Sequence, residues 1–254
     1  MTNPSVVCYA HRGASAYLPE NTLPAFRLAH VLGADGFECD VRMTADEALV
    51  IIHDATVDRT TDGSGRVASL TLASLRALNA GTKKRPAPIP TLAETLALAR
   101  ELNMRVNLEL KGERVEETIA LAHAITPALA RLKVADRAPV LISSFEHDAL
   151  STLRASLPWL QLGALYDSMK WSGTDILAHA LALGVNAIHP GERLINEKLI
   201  QGAGERGLAV NVWTANRRPV IRRLIRLGVN GLFSDRPERV VIERTRQDLL
   251  TVDK

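Results

Sequence analysis

Short apolar runs alternate with longer amphipathic stretches along almost the whole chain, and this alternation constrains the fold more than any other feature. Nine runs have the length and apolar content of strands: Val6–Ala10, Gly36–Val41, Leu49–His53, Arg105–Glu109, Val140–Ser143, Gln161–Leu165, Ala187–His189, Ala209–Trp213 and Gly231–Ser234. Six stretches repeat apolar residues at i, i+3 and i+4, as helices do: Ala25–Leu32, Glu94–Leu102, Val115–Leu132, Ile176–Leu183, Leu199–Arg206 and Val220–Leu227. Strands that alternate with helices of this length indicate βαβ units and a parallel sheet.

The number of units favours one parallel-sheet fold. Eight βα units in 254 residues correspond to about 32 residues per unit, which is typical of a (β/α)8 barrel. Leu49–His53 is then an additional strand within the second unit. An open, doubly wound sheet is the alternative, but no Gly-rich dinucleotide loop follows the first strand. We therefore predict one α/β domain over residues 1–254, a TIM-like (β/α)8 barrel with a short insertion at about residues 54–104.

Composition excludes several other classes of protein. Hydrophobic residues make up 46% of the chain and charged residues 23%, as in an ordinary soluble globular protein. The net charge of +3 is dispersed, so the sequence does not suggest a nucleic-acid partner, which usually requires a concentrated basic stripe. No apolar run approaches the roughly 20 residues of a membrane span. Met1–Ser5 lacks the beginning of a secretion signal, so we expect a cytoplasmic protein.

Carboxylates cluster on the predicted barrel strands, whose C-terminal ends carry function in this fold. Side chains alternate along a strand, so Glu38 and Asp40 share one face. Glu109, on the next barrel strand, supplies a third carboxylate. A set of oxygen ligands suits a hard cation, Mg²⁺ or Ca²⁺, rather than zinc or copper. The alternative is that one of these carboxylates pairs with a local arginine such as Arg42.

Basic side chains follow the same strand ends. His11 ends the first strand and His53 ends the Leu49–His53 run, an arrangement that suits an acid and a base on either side of one scissile bond. Arg12 offers a rigid, permanently charged fork for phosphate oxygens, and Lys111 offers a second positive charge. The alternatives are hydrogen-bonded or ion-paired side chains with a structural role. Trp213, at a later strand end, either packs against an apolar part of a substrate or belongs to the core.

Several motifs occur together in a fixed order: Ala10–Ala14, Pro19–Thr22, Gly33–Val41, His53–Asp54, Asp58–Thr61, Ile89–Leu92, Asn107–Lys111, Val212–Thr214, Gly228–Gly231 and Ser234–Pro237. In these motifs and their order, over nearly its whole length, the chain resembles the glycerophosphodiester phosphodiesterase family of the cytoplasmic bacterial type. Two segments depart from the family pattern. Gly81–Pro90 is short and basic where relatives carry a longer, aromatic-containing segment, and Asn216-Arg217 stands where an Asn-Asp pair is common.

The resemblance implies a metal-dependent hydrolase that cleaves glycerol-3-phosphodiesters, such as glycerophosphocholine and glycerophosphoethanolamine, to glycerol 3-phosphate and an alcohol. It implies these roles: acid and base for His11 and His53, metal ligands for Glu38, Asp40 and Glu109, and phosphate-side cations for Arg12 and Lys111. It also implies that Thr22 caps a helix and that Glu20 supports the site.

The sequence leaves several points open. They are the identity of the metal, the alcohol head group, which histidine is the acid, whether water or a glycerol hydroxyl attacks, and the oligomeric state. One alternative function is that of another barrel phosphodiesterase, acting on lysophospholipids or phosphoinositides. The other is that of a non-catalytic phosphate-binding barrel.

Overall fold

The computed structural model describes residues 6–133, 136, 139–171 and 175–252, so the Met1–Ser5 segment considered above lies outside the described residues. The strands are β1 (Val7–Ala10), β2 (Gly36–Met43), β3 (Leu49–Ile51), β4 (Arg105–Leu110), β5 (Val140–Ser144), β6 (Gln161–Tyr166), β7 (Ala187–Pro190), β8 (Ala209–Val212) and β9 (Gly231–Ser234). The helices are α1 (Leu23–Val31), α2 (Leu72–Arg76), α3 (Leu92–Glu101), α4 (Val115–Ala130), α5 (His147–Ser156), α6 (Ile176–Leu183), α7 (Glu197–Glu205), α8 (Arg218–Leu227) and α9 (Pro237–Val252). Two short 3-10 helices lie at Val67–Ser69 and Glu192–Leu194.

Eight of these strands form a closed parallel barrel with helices between them. β2, β4, β5, β6, β7, β8 and β9 pair in that order, and β1 closes the ring by pairing with both β2 and β9. Tyr9 on β1 lies in register with Gly36 on one side and Phe233 on the other. The predicted TIM-like (β/α)8 barrel is therefore confirmed, and all nine predicted strands are present.

The additional strand β3 runs antiparallel to the C-terminal end of β2, with Ile51 opposite Val41. The segment that follows packs around a small apolar cluster of its own, formed by residues such as Val57, Val67 and Leu75. This cluster is separate from the main core, which lies between the barrel wall and the outer helices. The location of the cluster is consistent with an insertion in the second unit, although the limits of the insertion and the assignment of a single domain stay predictions.

Helix ends follow from short-range hydrogen bonds. The Thr22 hydroxyl accepts from the backbone N–H of Ala25 at the start of α1, as the resemblance implied. Thr91 and Glu94 form a reciprocal capping box at the start of α3. Helix α8 ends at Gly228, whose φ of 83° is the left-handed conformation that glycine adopts without steric cost.

Three helices are missing from the predicted set. Helix α5 buries only Ala149, Leu150 and Leu153, so its apolar pattern is short, and α2 has only one buried residue, Leu75. Helix α9 has six charged residues among sixteen, and Val240 is among its few buried apolar side chains. Among the described residues, no helix is both long and apolar enough to cross a membrane.

Candidate active site at the barrel mouth

The candidate residues converge at the C-terminal mouth of the barrel. They border a cavity of about 140 Å³ whose lining includes His11, Arg12, Glu38, His53, Glu109, Lys111 and Trp213. Glu38 and Glu109 lie on the barrel strands β2 and β4. The other residues follow strands: His11 and Arg12 follow β1, Lys111 follows β4, Trp213 follows β8, and His53 follows the additional strand β3. Asp40 lies directly beside this group, in register with Glu109 on the neighbouring strand. The structure thus brings together every residue that the sequence nominated.

Three buried carboxylates form the base of the site. Ligand atoms of Glu38, Asp40 and Glu109 all lie within 4.8 Å of one another, and the residues are 2%, 0% and 8% exposed. Burial and the neighbouring Asp40 charge raise the pKa of Glu38 to about 8. Among the described residues, Glu38 Oε1 has no hydrogen-bond partner. A buried set of oxygen ligands with an unsatisfied carboxylate fits a hard divalent cation.

Two fixed cations contact the same carboxylates. Lys111 Nζ lies 2.6 Å from Glu109 Oε1 and 3.4 Å from Asp40 Oδ1. Arg12 Nε lies 3.3 Å from Asp40 Oδ2, and its Nη1 contacts Glu20 at 3.1 Å. Burial raises the pKa of Asp40, but the charges of Lys111 and Arg12 outweigh burial, and the net shift is downward. Asp40 therefore remains ionised next to its two partners.

The alternative that Glu38 or Asp40 pairs with a local arginine is seen for Asp40, but the partner is Arg12 and not Arg42. The Arg42 guanidinium instead donates to two backbone carbonyls, that of His53 at 2.8 Å and that of Lys111 at 3.4 Å. This residue therefore connects the end of β3 to the end of β4 and helps to fix the positions of two candidate side chains.

His11 has a carboxylate partner on the far side of its ring. Its Nδ1 lies 2.7 Å from Asp235 Oδ1, and its Nε2 lies 4.0 Å from Glu38 Oε2. Asp235 also accepts from Asn216 Nδ2 at 2.5 Å and from the Ser15 hydroxyl at 3.2 Å. Burial lowers the pKa of His11, but the hydrogen bond to Asp235 and the charge of Glu38 outweigh it, so the net shift is upward.

His53 is held in a similar way by a different network. Its Nδ1 lies 2.6 Å from Asp54 Oδ1, and Arg59 Nε donates to Asp54 Oδ2 at 2.6 Å. Arg59 also contacts Glu20, which supports the site as the resemblance implied. Burial lowers the pKa of His53. In both histidines a carboxylate accepts from Nδ1–H, which leaves Nε2 as the nitrogen that can exchange a proton with a ligand.

Several supporting residues had weak signals in the sequence or none. Asp54 and Asp235 follow strand ends, so their positions were visible but their roles were not. Asn21 Nδ2 donates to Asp40 Oδ2 at 2.8 Å from a left-handed backbone conformation, φ 57°. The Asn216 side-chain oxygen accepts from the Ser234 hydroxyl and from the Asp235 backbone. Nothing local in the sequence indicates either asparagine contact.

Trp213 is one of the residues that line the cavity. Its indole Nε1 donates to the backbone oxygen of His189 at 2.7 Å, and its ring packs edge-on against Phe145 at 5.5 Å. The side chain is half-buried and borders the cavity. Trp213 therefore belongs to the wall of the site, and contact with a substrate stays a prediction.

A (β/α)8 barrel with histidines, carboxylates and cations gathered at its C-terminal mouth has the organisation of a barrel enzyme. The chain belongs to the glycerophosphoryl diester phosphodiesterase family, whose sequence model matches residues 11–239. It is 36% identical over 236 residues to a glycerophosphodiester phosphodiesterase of Caldanaerobacter subterraneus subsp. tengcongensis, covering 91% of this chain and 95% of the relative. The predicted family is thereby confirmed.

Solved structures agree with this assignment. An Oleispira antarctica phosphodiesterase, solved in complex with the product sn-glycerol-3-phosphate, matches with a TM-score of 0.84 and 31% identity, over 94% of this chain and 96% of that one. A glycerophosphodiester phosphodiesterase from Agrobacterium tumefaciens matches with a TM-score of 0.75 and 25% identity, over 92% of this chain and 98% of that one. These matches extend over nearly the whole barrel and agree with the family assignment.

Proposed function

We propose that the protein is a metal-dependent phosphodiesterase that hydrolyses glycerol-3-phosphodiesters to glycerol 3-phosphate and an alcohol. One observation carries the proposal: in a member of this family, two buried carboxylates, two carboxylate-held histidines and two fixed cations line a single cavity, and the third buried carboxylate, Asp40, lies beside them. The product complex of the Oleispira antarctica relative supports the same class of substrate.

Glu38, Asp40 and Glu109 would hold one divalent cation, Mg²⁺ or Ca²⁺. Such a cation supplies positive charge next to the phosphoryl group, where negative charge increases in the transition state. Arg12 and Lys111 would bind and orient the phosphodiester from the side of their own contacts with Asp40. The fixed positions of these two cations mean that little reorganisation is needed as charge develops.

His11 and His53 would carry the proton transfers. Their pKa values shift in opposite directions, which suits one histidine that gives a proton and one that takes a proton. One of them would remove a proton from the nucleophile, and the other would protonate the leaving alkoxide. With water as the nucleophile, glycerol 3-phosphate forms directly. With the neighbouring glycerol hydroxyl as the nucleophile, a cyclic phosphodiester would form first, and water would then open it to glycerol 3-phosphate. Asp235 and Asp54 would keep each ring in the tautomer that presents Nε2.

The test is turnover of glycerophosphocholine, glycerophosphoethanolamine and a bis-alkyl phosphate after chelation and after addition of Mg²⁺, Ca²⁺ or Mn²⁺. We expect glycerol 3-phosphate from the first two substrates, little reaction with the third and no turnover in excess chelator. Glu38→Gln tests the same point without a chelator, since it keeps the shape of the side chain but weakens the cation site. Turnover that is undiminished in chelator, or equal on all three substrates, would refute the proposal.

A further inference from the structure

The interior of the barrel next to the carboxylates contains buried polar side chains, whereas barrels of this class usually fill their interior with bulky apolar residues. Four inward-facing polar residues of this layer are buried: Asn107, Ser143, His189 and Asn211. Apolar Leu165 and Phe233 lie beside His189. Asn107 lies in register with Glu38, and Ser143 lies in register with Glu109, so the layer directly adjoins the proposed cation site.

Two glycines make room for this layer. A Cβ atom at Gly163 would lie 2.4 Å from His189 Nε2, and a Cβ atom at Gly231 would lie 2.5 Å from Asn211 Oδ1. Both distances are far below van der Waals contact. The barrel wall therefore lacks side chains at the two positions where His189 and Asn211 require space, which indicates a built arrangement of these polar groups.

Two buried atoms of the layer, one a donor and one an acceptor, have no hydrogen-bond partner among the described residues. Asn211 Nδ2 donates to His189 Nε2 at 3.0 Å, so the proton of the neutral imidazole lies on Nδ1. Burial lowers the pKa of His189 to about 3, which keeps the ring neutral. Asn107 Nδ2 donates to the Ser143 hydroxyl at 2.8 Å. Among the described residues, neither His189 Nδ1 nor Asn107 Oδ1 has a hydrogen-bond partner.

Unpaired buried polar atoms are costly and rare, so a ligand that satisfies both atoms would be bound favourably. Both residues border the same cavity as the carboxylates. An N–H donor and a carbonyl acceptor together match a group that is both acceptor and donor, which is a hydroxyl. Neither residue is charged, so this pair suits the neutral polyol part of a phosphodiester and not its phosphate.

We propose that His189 and Asn107 bind one free hydroxyl of the glycerol moiety and thereby determine specificity for glycerol phosphodiesters. This inference rests on the proposed function and adds the residues that recognise the glycerol. A buried water molecule has the same hydrogen-bonding capacity, and the experiment below separates the two.

The experiment compares binding of glycerol 3-phosphate with that of its two deoxy analogues, 3-hydroxypropyl phosphate and 2-hydroxypropyl phosphate. Binding is measured by calorimetry in the presence of Mg²⁺. For the unmodified protein we expect at least one analogue to bind about 10- to 100-fold more weakly, because it leaves the buried pair unsatisfied. Equal affinity for all three ligands would overturn the inference without the need for any variant.

Variants then locate the discrimination. His189→Phe and Asn107→Leu should reduce the preference for glycerol 3-phosphate to within about threefold, whereas His179→Phe, at a half-buried histidine on an outer helix, should retain the full preference. Asn211→Asp should also reduce the preference for glycerol 3-phosphate. Its carboxylate accepts from Nε2–H of His189, so the imidazole proton moves from Nδ1 to Nε2 and Nδ1 is no longer a donor. A preference that survives in the cooperatively folded variants would show that the pair holds water and would overturn the inference.

Turnover of glycerophosphocholine is measured on the same samples. Discrimination without turnover would refute the proposed function and leave the hydroxyl site intact. Turnover without discrimination would refute the hydroxyl site alone.

Discussion

The contact between His11 and Asp235 offers a sharp test of how the site works, through the substitution Asp235→Asn. Asp235 accepts from His11 on one oxygen and from Asn216 on the other, at 2.7 Å and 2.5 Å. The introduced amide has only one oxygen. If its NH₂ group faces Asn216 Nδ2, two donors meet and that hydrogen bond is lost. If its NH₂ group faces His11 Nδ1, the bond forms only when Nδ1 is the acceptor, which moves the imidazole proton to Nε2. The variant therefore cannot keep both hydrogen bonds together with the Nδ1–H tautomer.

The magnitude follows from the type of bond that is lost. A hydrogen bond to a charged group contributes about 1.5–3 kcal/mol. At 1.36 kcal/mol per tenfold change in rate, kcat should fall by about 10- to 150-fold if the full contribution is felt in the transition state. Asp235 also raises the pKa of His11, so the limb of the pH–rate profile that belongs to His11 should move to lower pH.

The assay is a pH–rate profile of kcat beside a melting curve. Asp35→Asn is the matched control: Asp35 accepts from the backbone N–H of Cys8 at 2.7 Å and pairs with Arg244, so it should lower the melting temperature without changing kcat. An unchanged kcat and pH profile in a folded Asp235→Asn variant would refute the reasoning. A similar loss in both variants would show that the loss reflects stability and not the positioning of His11.

Three further predictions concern charge, catalysis and packing. In the metal-free protein folding raises the pKa of Glu38 from 4.5 to about 8, so the melting temperature should fall as the pH increases from 4.5 to about 8. Glu38→Gln should reduce the slope of melting temperature against pH, and an equal slope in the variant and the unmodified protein would contradict the assignment. His53→Ala should reduce kcat by about 10²–10⁴-fold with an unchanged far-UV spectrum, and near-normal turnover would make His53 a structural residue. Gly163→Ala places a Cβ atom 2.4 Å from the ring of His189 and should destabilise the fold by about 1–3 kcal/mol, measured by thermal melting. Gly204→Ala, where a Cβ meets nothing within 4 Å, is its control, and an equal change in melting temperature would argue against the steric explanation.

The fold was predictable because each barrel strand is a compact apolar run bounded by turn residues. The helices were predicted less consistently than the strands. Helix α6 buries Ile176 and Ala180 within an apolar sequence and was predicted with its observed limits. In helix α9 six charged residues interrupt the apolar positions, and its position against β1 depends on tertiary packing that no local pattern reveals.

The candidate site was partly predictable because strand alternation is a local rule. It places Glu38 and Asp40 on one face, and parallel pairing brings Glu109 beside Asp40. The partner of His11 follows no local rule, since Asp235 is 224 residues away in sequence and approaches only because β9 pairs with β1 when the barrel closes. Long-range closure therefore determines the environments of the candidate histidines.

The charges of the mouth connect the cation site to the substrate site. Arg12 and Lys111 form ion pairs with carboxylates of the mouth, so the set of Glu38, Asp40, Glu109, Arg12 and Lys111 has a net charge of minus one when all five groups are ionised. A phosphodiester anion is repelled by such a mouth. A divalent cation held by the proposed ligands changes the net charge to plus one and also stabilises the ionised form of Glu38. Cation and substrate would therefore favour each other's binding, and by thermodynamic linkage the coupling is equal in both directions. The high pKa of Glu38 and the contacts of Lys111 with two carboxylates are then two expressions of the same local deficit of positive charge.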